Sequence, residues 1–131
     1  MNKRWFYLIS VLLLATLIAA CGDNRPDSQV ASSGGTSPDG NATVNVIAEE
    51  FKFALDSSRL NAGVTTFVIK NSGFMQHDFE ISGNSIEQKT EEINPGESVE
   101  MTVELEPGTY TYRCTIPGHE QLGMRGTLTV S

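Results

Sequence analysis

Four side chains between residues 77 and 124 are donors of the kind that hold a transition metal. Cys114, His119 and Met124 follow one another at intervals of five residues in the segment Tyr110-Thr-Tyr-Arg-Cys-Thr-Ile-Pro-Gly-His-Glu-Gln-Leu-Gly-Met124, and His77 is the sole other histidine. A thiolate, two imidazoles and a thioether suit copper best, because Cu(I) favours sulfur whereas Cu(II) accepts nitrogen. Structural zinc takes four strong ligands, and methionine is a poor one. A binuclear copper centre would need a second nearby cysteine, yet Cys21 lies ninety-three residues before Cys114. Taken singly, a buried cysteine is usually a small core hydrophobe and a lone methionine filler. Their convergence on one loop, with both histidines used, favours a metal site with His77, Cys114, His119 and Met124 as ligands.

Such a loop has to be positioned by strands. From Thr43 onward the hydrophobic pattern has period two: Val44 and Val46, Phe67 and Ile69, Phe79 and Ile81, and the run Val99, Met101, Val103 and Leu105 alternate with polar neighbours. Each reads as a half-buried antiparallel strand. Turn chemistry separates them at Asn61-Ala62-Gly63, Asn71-Ser72-Gly73, Ser82-Gly83-Asn84, Asn94-Pro95-Gly96 and Glu106-Pro107-Gly108. No segment has helical spacing. Residues 43–131 therefore read as one all-β sandwich domain, with His77 opening a strand that runs to Ser82 and Cys114 ending another.

The chain starts with Lys3 and Arg4 ahead of an apolar run from Trp5 to Ala20, the pattern of an export signal. A run of sixteen residues falls short of the roughly 20 that a spanning helix needs. The run ends Ile18-Ala19-Ala20-Cys21, which resembles the lipobox of bacterial lipoproteins, so residues 1–20 read as a lipoprotein signal peptide and Cys21 as the lipidated residue. Ordinary secretory cleavage near Ala20 or an uncleaved signal anchor are the other readings, and both also put the domain outside the cytoplasm. Residues 21–42 are rich in Gly, Ser, Asp and Pro and read as a flexible linker. Losing Lys3 and Arg4 with the leader takes the formal charge from −7 to −9. An acidic protein of this kind is a poor partner for nucleic acid, and anionic headgroups would repel it without a covalent lipid.

The segment Cys114-Thr115-Ile116-Pro117-Gly118-His119, with Met124 beyond it and one histidine far upstream, resembles the ligand loop of the cupredoxins, the blue copper proteins that include plastocyanin, azurin, rusticyanin and auracyanin. The resemblance covers roughly Thr43 to Ser131. Its Cys-to-His stretch is similar to azurin, and its four-residue gap before Met124 is more like auracyanin or rusticyanin. The resemblance implies a Greek-key sandwich, a single type 1 copper ion, and single-electron transfer, with no enzymatic activity, between a redox donor and an acceptor such as a cytochrome, an oxidase or a photosynthetic complex. It implies a monomer held to the membrane by lipid on Cys21, His119 reaching the surface through an apolar patch drawn from Pro117, Leu122, Gly123, Phe74 and Met75, and backbone N–H groups of Asp78 and Ile116 directed at the thiolate. The sequence departs from the family at Asp78, where an asparagine is usual. A copper chaperone or buffer is the alternative function, but no His or Met cluster offers an exchange surface.

Overall fold

The computed structural model describes residues 40–131. The expected signal peptide, Cys21 and the linker up to residue 39 lie outside the described residues. Nine strands are described: β1 (Ala42–Glu49), β2 (Lys52–Leu55), β3 (Arg59–Leu60), β4 (Gly63–Asn71), β5 (Glu80–Gly83), β6 (Ile86–Lys89), β7 (Ser98–Leu105), β8 (Gly108–Arg113) and β9 (Arg125–Val130). They form two sheets, ordered β2-β1-β4-β7 and β3-β9-β8-β5-β6, so strands distant in sequence lie side by side and the chain crosses repeatedly between layers. This is the all-β Greek-key sandwich, and no helix occurs among the described residues.

The period-two pattern decides which face of each strand is buried. Val44, Val46 and Ala48 of β1, Phe67 and Ile69 of β4, and Met101, Val103 and Leu105 of β7 turn inward from one sheet; Ile81, Tyr110, Leu128 and Val130 turn inward from the other. Burying one such Val, Ile, Leu or Phe side chain is worth roughly 1.5–3 kcal/mol, so this shared core is the main force closing the sandwich. The turns fall where Gly, Asn and Pro place them; Asn84 and Ser85, both at positive φ, make the two-residue hairpin between β5 and β6.

The pairing is not all antiparallel. β1 runs parallel to β4, with Val44 opposite Phe67 and Val46 opposite Ile69, and β3 runs parallel to β9. Alternation reports which face of a strand is buried and carries no information about its neighbour's direction, so the sequence pattern could not separate the two arrangements. The strand expected from His77 to Ser82 is also shorter. β5 starts at Glu80, and His77 makes only an isolated bridge with Ile93, through N–H···O bonds of 3.2 and 2.7 Å.

Candidate metal centre

His77 is held by what surrounds it in three dimensions. Two residues on, Phe79 drives its ring into the core, 5.2 Å from Phe53, 5.4 Å from Phe67 and 5.7 Å from Tyr112 between centroids. The loop before His77 is tied by Asn71, which is fully buried. Its amide donates to the carbonyls of Met75 (2.7 Å) and Ile93 (2.8 Å), and its side-chain oxygen accepts from the Gly73 N–H (2.9 Å). The sequence presents Asn71 as one more turn residue; in the fold it joins the loop ahead of His77 to the segment that His77 bridges.

The other three residues share one loop, which backbone bonds close on itself. Cys114 follows the last residue of β8, and its N–H donates to the Met124 carbonyl (3.0 Å); the Met124 N–H donates to the His119 carbonyl (3.1 Å), and the His119 N–H to Ile116 (3.1 Å). Gly123 takes φ of +113° just before Met124, a conformation that residues with a Cβ avoid. Outside the loop, Arg113 donates to Glu80 (2.6 Å) and Glu120 (3.2 Å), and Arg125 lies 3.9 Å from Glu120. These part-exposed ion pairs are each worth about 0–1 kcal/mol, so the closure rests chiefly on the backbone bonds.

The two segments meet through Asp78, 2% exposed, whose carboxylate accepts the Thr115 N–H (2.5 Å) and the Thr115 hydroxyl. Lys89 stands 3.8 Å from the same carboxylate and donates to the Thr115 oxygen at 3.3 Å. The residue next to the first histidine is thereby fastened to the residue after the cysteine.

The result is a cluster of three donors within 4.8 Å of one another on His77, Cys114 and His119. The two Nδ1 atoms are 3.3 Å apart, and Cys114 Sγ is 3.5 Å from His119 Nδ1. Two metal bonds of about 2.0–2.1 Å at trigonal angles separate their donors by about 3.5 Å, so the spacing fits one ion at the centre of the three. His77, Cys114 and Met124 are fully buried and His119 is 4% exposed. Met124, bonded through its backbone to both Cys114 and His119, belongs to the same knot. The structure thus brings the donor atoms of His77, Cys114 and His119 together and places Met124 beside them through its backbone.

Burial governs the protonation of these groups. The Cys114 thiol is pushed up to about 11, chiefly by burial, while the backbone amides of Asp78 and Ile116 directed at the sulfur oppose the rise. Those are the two amides expected at the thiolate. Burial also lowers His77 from its ordinary value, against a partial counter-pull from Glu50. Glu50 and Phe51, in the connection between β1 and β2, were not singled out by the sequence. Glu50 Oε1 lies 3.3 Å from His77 Nε2 and accepts the N–H groups of Phe74 (2.7 Å) and Met75 (2.8 Å); the ring of Phe51 meets His119 edge-on at 5.1 Å. With those amides around it, the Glu50 carboxyl is held down at about 2. No local pattern marks either residue, because each acts only on a partner far along the chain.

Residues 41–131 match the family model of copper binding proteins, plastocyanin/azurin family. Auracyanin-B of Chloroflexus aurantiacus is 55% identical over 40 residues, a stretch that makes up 30% of this chain and spans only 17% of that protein's length. Among solved structures, auracyanin B aligns with a TM-score of 0.59 at 27% identity, covering 76% of this chain and 95% of that one. Auracyanin A of Chloroflexus aurantiacus, described as a "blue" copper protein, aligns with a TM-score of 0.57 at 28% identity, covering 70% and 100%. Dithionite-reduced auracyanin of Roseiflexus castenholzii, at 24% identity, shares the fold with a TM-score of 0.58 over 68% and 96% of the two chains.

A donor thiol held near 11 must lose its proton when a metal binds, whereas His77, lowered below its ordinary value, is already neutral at pH 7. Binding of Cu(II) at neutral pH is therefore expected to release one proton from Cys114 and none from His77. The apparent affinity contributed by Cys114 should rise about tenfold per pH unit between about pH 7 and 9. Competition titrations across that range, with calorimetry in buffers of different ionisation enthalpy, measure both quantities. An affinity independent of pH would show that the thiol is not a ligand.

Proposed function

The chain belongs to the plastocyanin/azurin family of copper binding proteins, with copper as its cofactor, and we propose that it is a type 1 blue copper protein that carries single electrons between redox partners outside the cytoplasm. The observation that carries this reading is the buried cluster of His77, Cys114 and His119, with donors within 4.8 Å and Met124 tied to the same loop. Copper, when bound, supplies a one-electron couple between Cu(II) and Cu(I).

In this reading His77, Cys114 and His119 would hold the copper, and Met124 would add a weak thioether donor that tunes its potential. The chain's own contribution is rigidity. The Asp78–Thr115 bonds and the closed loop fix the donors wherever the electron resides, so little reorganisation opposes transfer. Burial of all four side chains keeps water and substrate out, which supports carriage over catalysis. A chaperone or buffer would need an open exchange surface, and the ligand side chains here are buried.

His119 turns Nδ1 toward the other donors, which leaves its opposite ring edge for the outside. Nearby loops carry Phe74 (93% exposed), Leu122 (62%) and Met75 (46%), with Pro117 and Gly118 also exposed. These form the apolar landing face for a redox protein. The extracytoplasmic placement and the anchor rest on the sequence: an export signal and a lipobox-like Ile18-Ala19-Ala20-Cys21.

Reconstitution with Cu(II) is expected to produce an intense blue absorption that bleaches with ascorbate; a colourless protein with accessible, bound copper would overturn the electron-carrier reading. Asp78→Asn is expected to raise the reduction potential, because the buried carboxylate beside the thiolate favours Cu(II). Voltammetry that finds the potential unchanged or lower would refute that role. For the anchor, Cys21→Ala is expected to move the protein from the membrane fraction to the soluble one and to abolish incorporation of labelled fatty acid. Retention in the membrane would point to an uncleaved signal anchor.

A further inference from the structure

The connection between β1 and β2 braces both histidines from one side. Glu50 stands against His77 Nε2 at 3.3 Å, and the next residue, Phe51, packs its ring edge-on against His119 at 5.1 Å. The Glu50 carboxylate is itself fixed by the N–H groups of Phe74 and Met75, at 2.7 and 2.8 Å. The carboxylate also fills the space above Gly73: a Cβ built there would lie 2.8 Å from Glu50 Cδ, so a larger residue at this position would have to displace the carboxylate. Three consecutive loop residues, Gly73 to Met75, are thus shaped around one acid that also reaches a buried imidazole.

An imidazole has two nitrogens, and which one keeps its proton depends on the partner of the other. His77 Nδ1 faces His119 Nδ1 and Cys114, where a lone pair is required to bind a cation, and His77 Nε2 faces a carboxylate, which only accepts. We propose that Glu50 is the positioning residue of the centre: it accepts the Nε2–H of His77, fixes the tautomer that turns the Nδ1 lone pair toward the metal, and makes that nitrogen a stronger donor to Cu(II) than to Cu(I). Because the same carboxylate holds the backbone of Phe74 and Met75, the exposed apolar loop and the buried ligand share one anchor. The redox consequence rests on the copper reading above; the tautomer does not.

Two measurements on the detergent-solubilised full chain separate these claims. In the metal-free protein, imidazole 15N shifts are expected to place the His77 proton on Nε2, and a proton on Nδ1 would overturn the proposal whatever metal the protein binds. Glu50→Gln keeps an oxygen for the loop N–H groups and removes the charge. Loss of a carboxylate partner behind a ligand typically costs 10–100-fold in metal affinity, and here the loss is expected to fall on Cu(II) more than on Cu(I). Each tenfold difference between the two raises the potential by about 59 mV. A blue Glu50→Gln protein whose Cu(II) and Cu(I) affinities keep their wild-type ratio would reduce Glu50 to a loop-packing role. A wild-type protein with no blue band would fail the copper reading while leaving the tautomer result standing.

Discussion

A buried carboxylate, Asp78, joins the two stretches of chain that bring metal donors together. One stretch carries His77; the other carries Cys114, His119 and Met124. They approach from opposite directions at the end of the sandwich, and the Asp78 bonds to Thr115 fasten them with the shortest polar contacts of the site. Asp78 is 2% exposed, so the cost of burying its charge has to be offset by hydrogen bonds and by Lys89 nearby. Removing either side of such a contact leaves a buried polar group unpaired, which costs more than the bond itself contributes. The donor spacing depends on this fastening, which ties the residue after His77 to the residue after Cys114.

Two kinds of force divide the work around that joint. The sandwich core is apolar and non-directional, and it sets where β5, β8 and β9 lie but not where a ring nitrogen points. Direction comes from hydrogen bonds: the closed loop from Cys114 to Met124, the bridge between His77 and Ile93, and the amide of Asn71 shared by Met75 and Ile93. Phe79 connects the two regimes, since it sits in the aromatic core two residues beyond His77 and so carries the rigidity of the core to a ligand.

The same division explains why a site this dry can sit so near the surface. The four ligand side chains are buried, yet Phe74, Met75 and Leu122 are exposed within a few residues of them along the chain. Large exposed apolar side chains grouped on neighbouring loops are characteristic of a docking surface, and here they lie on the loops that hold the donors. A protein brought against that face would approach the centre without the centre opening to water. Glu50, bonded both to this loop and to His77, lies where contact and potential would meet.

Much of the site was legible because its chemistry is local. Cys114, His119 and Met124 lie on one loop whose spacing is visible along the chain, and His77 follows by elimination in a sequence with two histidines. Strands β1, β4 and β7 were legible because one buried face imposes period two on each. Other features existed only once the chain had folded. Parallel pairing of β1 with β4 leaves the same alternation as antiparallel pairing, and Asn71 looks like any turn residue until Met75 and Ile93 arrive beside it. Glu50 reaches His77 across 27 residues and Asp78 reaches Thr115 across 37, distances at which no periodicity survives. Residue types pointed to copper and to the side chains suited to hold it; the tertiary structure alone decided their protonation and their aim, because burial and hydrogen-bond partners are properties of neighbours in space.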